Sequence, residues 1–154
     1  MAVGKYEHIL LAVDFAPETA RVVERGAELR DRYGARLRLV HVVEYMPMSY
    51  SGDVVLPDDF DLERELLDIA RKQIDELGDR LGVPAEDRHL EVGSTGKSIL
   101  RVAQSQSVDL IVIGSHGRHG IAALLGSTAR TVVHGADRDV LAVRIQEGQT
   151  AQGA

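Results

Sequence analysis

Ile111-Val112-Ile113-Gly114-Ser115-His116-Gly117-Arg118-His119-Gly120 is an apolar run that stops at a glycine and passes into a glycine-bearing loop. Ile121 to Leu125 follow, and then Gly126-Ser127-Thr128 at the head of a helical pattern. A run that is apolar at every position is covered on both faces, which places it in a parallel sheet. Behind it stands the outline of a phosphate site. Glycines let the backbone approach an anion, hydroxyls donate to it, and the first free N–H groups of a helix point at it with the positive end of the dipole. The same residues also suit a plain strand-to-helix turn with Ser127 or Thr128 as an ordinary N-cap, and spacing alone does not choose between the two.

Working outward, His8 to Val13 is a second continuous apolar run, ending at Asp14, and Leu37 to Val43 is a third. Pro17 and Glu18 open a helix whose apolar face is Val22, Val23, Gly26, Ala27, Leu29 and Tyr33, and Gly34 stops it. Glu44 to Phe60 reads as a long connection. Leu62, Leu66, Ile69, Ala70, Ile74, Leu77 and Leu81 mark a second helix, with Asp59 or Asp61 as its cap and Gly82 and Pro84 as its end. A short strand at Arg88 to Val92, a helix from Lys97 to Ser105, the strand Asp109 to Ile113, a helix from Ser127 to His134 and a strand at Val140 to Val143 complete the alternation. Strand and helix in turn mean a doubly wound α/β sheet with right-handed crossovers. In such a sheet ligands bind beyond the carboxyl ends of the strands where strand order reverses, so Asp14 and Gly114 open into one crevice if the first and fourth strands are neighbours.

A length of 154 residues fits one domain, and 44% hydrophobic with 27% charged residues is a globular composition. The net charge of −6 argues against nucleic acid or an anionic membrane as the main partner. The absence of cysteine removes disulfides, thiolate metal sites and thiol nucleophiles. No apolar run approaches a membrane span and no leader pattern opens the chain, so a cytoplasmic location is expected. Residues 1–146 are expected to form the domain and 147–154 a polar, frayed tail.

Other motifs carry less. Gly93-Ser94-Thr95-Gly96-Lys97-Ser98 looks like the end of a P-loop, but the required earlier glycine is Glu91, so it reads as a tight turn into the third helix. Gly114, Gly117 and Gly120 have the wrong spacing and the wrong strand for a dinucleotide fingerprint. His116 and His119 lack a third ligand at a recognisable spacing, so no metal site is expected. His41, between Val40 and Val42, reads as a structural histidine, and no Gly-x-Ser-x-Gly elbow supports serine hydrolase chemistry.

In order along the chain, His8 to Asp14, Leu39-Val40-His41-Val42, Asp109 to Gly117, Gly126-Ser127-Thr128 and Asp139 to Val143 resemble the universal stress protein family, covering about residues 5 to 145. The match is to a single-domain, UspA-like member. The resemblance implies an open five-stranded parallel sheet of order 3-2-1-4-5, the adenine-nucleotide alpha hydrolase-like fold. It further implies a cytoplasmic role in stress survival and a homodimer joined through the last strand, here Val140, Leu141, Ala142 and Val143. By similarity to the ATP-binding branch, Gly114, Gly117, Gly126 and Ser127 would hold phosphates and ribose, and Ala12, Val13, Asp14 and Val42 would line an adenine pocket. Ser115, His116 and Thr128 join them as donors in the same loop and helix start, and Arg118 is added as counter-charge to the phosphates. The expected cofactor is ATP with magnesium; no catalytic residues are expected, and any hydrolysis is expected to be slow.

Two departures bear on that expectation. Eight residues, Arg118 to Leu125, separate Gly117 from Gly126 where the ATP-binding pattern has nine. One helical residue is worth about 100° of rotation, which Gly120 would have to absorb. Ala16 stands where a serine is common, removing a hydroxyl and an N-cap. The alternative is therefore the same fold without nucleotide, acting through protein–protein interaction. A nucleotidyl-transferring ligase on this fold would need Ser-Gly-Gly-x-Asp-Ser or His-x-Gly-His, and Val13-Asp14-Phe15-Ala16 matches neither.

Overall fold

The strands of this chain carry two apolar faces, and each face has found its own pair of helices. In the computed structural model, which describes residues 4–44, 58–115 and 125–145, the strands are β1 (His8–Ala12), β2 (Arg36–Val43), β3 (Arg88–Val92), β4 (Leu110–Gly114) and β5 (Asp139–Val143). They form one parallel sheet of order β3-β2-β1-β4-β5, as the resemblance implied. The helices are α1 (Ala20–Tyr33), α2 (Asp58–Leu81), α3 (Thr95–Ser105) and α4 (Ser127–Gly135).

Because side chains alternate along a strand, Ile9, Leu11, Val13, Leu37, Leu39 and Val112 pack with Val22 of α1 and Ile74 and Leu77 of α2. Leu10, Val40, Val42, Ile111 and Ile113 face the other way, onto Ile99 and Val102 of α3 and Ala129 and Val132 of α4. Ile9, Leu10, Leu11, Val40, Ile111 and Val112 are fully enclosed. At about 1.5–3 kcal/mol for each such side chain, burial on both faces is the main source of stability.

Local chemistry sets most ends. Pro17 to Thr19 makes a single 3₁₀ turn ahead of α1, whose C-cap Gly34 takes the left-handed conformation with φ 61°. Two expectations are corrected at α2. It begins at Asp58, so Asp59 and Asp61 lie inside its first turn rather than capping it, and the connection is shorter than residues 44–60. A run of closely spaced carboxylates offers several equivalent places to start a helix. Leu62, Leu66 and Ile69 are exposed, at 49%, 37% and 56%. They lie roughly a quarter-turn around the helix from Ala70, Ile74 and Leu77, which are the buried ones.

Gly93 to Ser98 is a tight turn into α3, as expected: Gly93 has φ 139°, and Ser98 N–H donates to the Ser94 carbonyl at 2.9 Å. Gly96 then allows α3 and α4 to touch. A Cβ there would stand 2.7 Å from Thr131 Cβ, so only glycine permits this crossing. The approach fixes the direction of α4, and with it the direction of its N-terminus.

Candidate nucleotide crevice

The sheet is unevenly joined at its centre. β1 pairs with β2 as far as Ala12–Val40, and β4 pairs with β5 as far as Gly114–Val143, but β1 and β4 pair only from Ile9–Leu110 to Leu11–Val112. The two middle strands thus stop pairing at their carboxyl ends, where strand order reverses, and leave the crevice of a doubly wound sheet. Asp14 and Gly114 sit at its two lips, as expected from neighbouring strands.

On the β1 lip, Val13 N–H donates to the Val40 carbonyl at 2.9 Å and keeps the chain tied to β2. The Asp14 Oδ1 then accepts the Ala16 amide at 3.0 Å, closing an Asx turn. Phe15, inside that turn, has φ 62°. Left-handed backbone costs a residue with a Cβ about 1–2 kcal/mol, so the ring must be held by its surroundings. It lies 4.6 Å from the His41 ring, centroid to centroid. His41 in turn donates from Nδ1 to the Val13 carbonyl at 2.7 Å, a carbonyl being able only to accept. Burial pushes the His41 pKa below its ordinary 6.5, against the pull of the Val13 hydrogen bond and the Asp14 charge, so the ring is neutral at pH 7. His41 is a structural histidine as its setting suggested, and its task is local: it supports the end of β1. Asp14 itself is exposed, and among the described residues its Oδ2 has no hydrogen-bond partner.

The β4 lip is built differently. Ser115 N–H extends the ladder to the Val143 carbonyl at 2.8 Å, and its hydroxyl turns inward to accept the Ile145 amide at 3.3 Å. A Cβ on Gly114 would stand 2.6 Å from Ile145 Cδ1, the tip of a side chain that can turn aside, and 3.4 Å from Val22 Cγ2. Gly126 N–H returns to the Ser115 carbonyl at 2.7 Å and brings the start of α4 to the end of β4. The two other helix starts on this face contrast. Thr95 at the head of α3 donates from its amide (3.2 Å) and hydroxyl (2.5 Å) to Glu44 Oε1, whereas α4 begins at Gly126 with no side-chain cap. Its first amides and the hydroxyls of exposed Ser127 and half-buried Thr128 are therefore uncommitted donors among the described residues.

Of the expected site residues, Asp14, Gly114, Gly126, Ser127 and Thr128 thus stand at strand ends or at the helix start that follows β4. Ala12 and Val42 share the α3/α4 face, while Val13 turns its side chain into the α1/α2 core and has only backbone to offer. Ser115 turns its hydroxyl inward, where the oxygen accepts the Ile145 amide. His116, Gly117 and Arg118 lie outside the described residues. Phe15 was missed, because nothing in a phenylalanine signals a positive φ. Among the described residues no group of three or more His, Cys, Asp or Glu is arranged to hold a metal, and none of the helices is long and apolar enough to cross a membrane.

Comparison with known proteins agrees with this fold. Residues 5–144 match the family model described as the universal stress protein family. Universal stress protein A homolog 1 of Coxiella burnetii is 39% identical over 142 residues, covering 92% of this chain and 99% of the relative. Among solved structures, the hypothetical protein MJ0577 superposes with a TM-score of 0.79 at 22% identity, covering 94% of this chain and all of the other. A universal stress protein solved in complex with cAMP superposes at 0.58 and 21% identity, covering 91% of this chain and 98% of that one.

Proposed function

From the membership of this chain in the universal stress protein family, we propose that it acts as a dimeric cytoplasmic stress-response regulator that binds ATP or another adenine nucleotide between Asp14 and the start of α4. The observation that carries the reading is the early end of β1–β4 pairing at Leu11–Val112, with a carboxylate oxygen on one lip and a helix start on the other that have no side-chain partner among the described residues. A nucleotide has a matching pair of ends. Its ribose hydroxyls donate to a carboxylate, and its phosphates accept from helix amides and hydroxyls. Ala12 and Val42 supply apolar surface beside the β1 lip. The relative solved with cAMP shares this fold and carries an adenine nucleotide.

The donor set fits a phosphate better than it fits a bare metal. Magnesium would arrive on the phosphates and keep its waters, as it commonly does. The homodimer would form through β5, which is an edge strand with Val140, Leu141 and Ala142 only half covered within one chain. Residues 1–146 would constitute the working domain, with 147–154 as an appended tail.

Isothermal titration with ATP and magnesium tests the reading. Binding should release heat, and at a hundredfold excess over Kd should add about 2.7 kcal/mol of stability. No heat and an unchanged melting temperature would leave the second reading, a nucleotide-free interaction protein. That reading is favoured by the inward turn of the Ser115 hydroxyl, whose oxygen accepts the Ile145 amide, together with the eight-residue spacing before Gly126.

A further inference from the structure

Phe15 holds a left-handed backbone at φ 62° in a position where glycine would be unstrained, and strain of this kind is kept where the surroundings over-determine it. What determines it here is a short chain of contacts. The Ala16 amide on Asp14 Oδ1 closes the turn, the Phe15 ring rests 4.6 Å from His41, and His41 Nδ1 holds the Val13 carbonyl at 2.7 Å. Removing any link loosens the residue that offers its carboxylate to the crevice.

We propose that His41 is a positioning residue for this crevice and that its proton regulates nucleotide binding: neutral, it holds Val13 and Phe15 and leaves Asp14 to the crevice; protonated, it keeps Val13 and draws the Asp14 carboxylate to itself. The inference rests on the nucleotide reading above and adds its regulation. The imidazole sits on the α1/α2 face of β2, where its strand partner is Leu90 of β3 and its contacts on the β1 side are Val13 and Phe15, all uncharged. Among the described residues Asp14 is the one charge that bears on it. A proton on Nε2 therefore puts a cation into a half-buried, mostly apolar setting. Nδ1–H still holds the Val13 carbonyl, so the new charge is answered by the Asp14 carboxylate, and drawing that carboxylate towards the ring takes it from the crevice. Burial already holds the ring neutral at pH 7, so the transition falls on the acid side of 6.5.

The test is titration with cyclic AMP, whose phosphodiester lacks the second phosphate ionisation near pH 6 that would confuse ATP. Wild type, His41→Asn and His41→Leu are compared at about pH 7.5 and about pH 5.5, with His41 protonation followed by NMR. Asparagine keeps an N–H donor for the Val13 carbonyl without titrating. Wild type should lose about threefold or more in affinity at the lower pH, one pKa unit of coupling being tenfold. His41→Asn should bind equally at both, and His41→Leu should bind weakly at both. Wild type binding unchanged while the ring titrates, or a pH step that persists in His41→Asn, overturns the regulation and leaves the nucleotide reading intact. Failure of cyclic AMP and of ATP to bind at either pH overturns both.

Discussion

Arg36 grips Asp87 with two parallel hydrogen bonds, Nε to Oδ2 and Nη2 to Oδ1, each 2.8 Å long. Asp87 is 1% exposed, and its Oδ1 also lies 3.5 Å from Nε of Arg38, which is itself buried and donates from Nη1 to Nδ1 of His8. One carboxylate thus answers two guanidinium groups where β1, β2 and β3 begin. Replacing Asp87 by alanine leaves a buried cation without its counter-charge, and the expected loss is about 3–5 kcal/mol in urea unfolding. Arg36→Ala, removing the more exposed partner, should cost clearly less.

Stability should fall on the acid side of neutrality. Burial, with help from the Arg38 charge, lowers the His89 pKa below 6.5, and burial lowers that of His41 as well. The unfolded chain then takes up protons that the folded chain refuses, so stability is complete above about pH 6.5 and declines as pH drops through the folded values. Urea midpoints measured from pH 8 to 5 should trace that decline, and His89→Gln should flatten it. Tyr6 works at the other end. Its hydroxyl donates to Asp139 at 2.6 Å and its pKa is pushed up to about 12, so its contribution holds to the usual tyrosine value near 10 and is lost above it. Tyr6→Phe should remove this alkaline loss.

Gly96→Ala should destabilise by about 1–3 kcal/mol, even though alanine is the better helix former by about 1 kcal/mol. The clash is with Thr131 Cβ at 2.7 Å, an atom no rotamer can move. Thr131→Ala should therefore fail to rescue Gly96→Ala, while Thr131→Gly should recover part of the loss in thermal melts. Since this crossing aims α4 at the crevice, Gly96→Ala should also weaken nucleotide binding.

Asp14→Asn separates the turn from the charge. The amide oxygen can still accept from Ala16, so stability should change by less than about 0.5 kcal/mol. Nucleotide affinity should fall about tenfold, the loss expected when a charged acceptor becomes neutral, about 1.4 kcal/mol. Equal affinities by titration calorimetry would remove Asp14 from the site.

The strands were legible because residues such as Ile9, Leu10 and Leu11 are apolar at consecutive positions, which only a doubly covered strand requires. Strand order came from family resemblance rather than from spacing, since hydrophobic periodicity carries no information about neighbours. The start of α2 lies ahead of the expected caps because Asp59 and Asp61 serve as well inside a first turn as before it. The Arg36–Asp87–Arg38 cluster was invisible for another reason. Asp87 stands 51 residues from Arg36 in the chain and meets the two arginines only through β2–β3 pairing. At the crevice, the carboxylate and the helix start were readable from residue type. The inward turn of Ser115 and the clamp of Phe15 and His41 depend on backbone torsions and tertiary contacts that residue type does not encode.

The seam between β1 and β4 is stapled at one end only. Below it, the Asp109 carboxylate takes the amides of Glu7 and His8 at 2.9 and 3.2 Å, and Asp109 N–H reaches the His8 carbonyl at 2.9 Å. Above it, past Leu11 and Val112, the facing edges of the two strands have no ladder between them. Peptide groups in that gap keep a standing demand for polar company. A guest at this mouth therefore has to supply hydrogen bonds to backbone as well as to side chains, and selectivity will favour molecules that carry many acceptors and donors in a small frame.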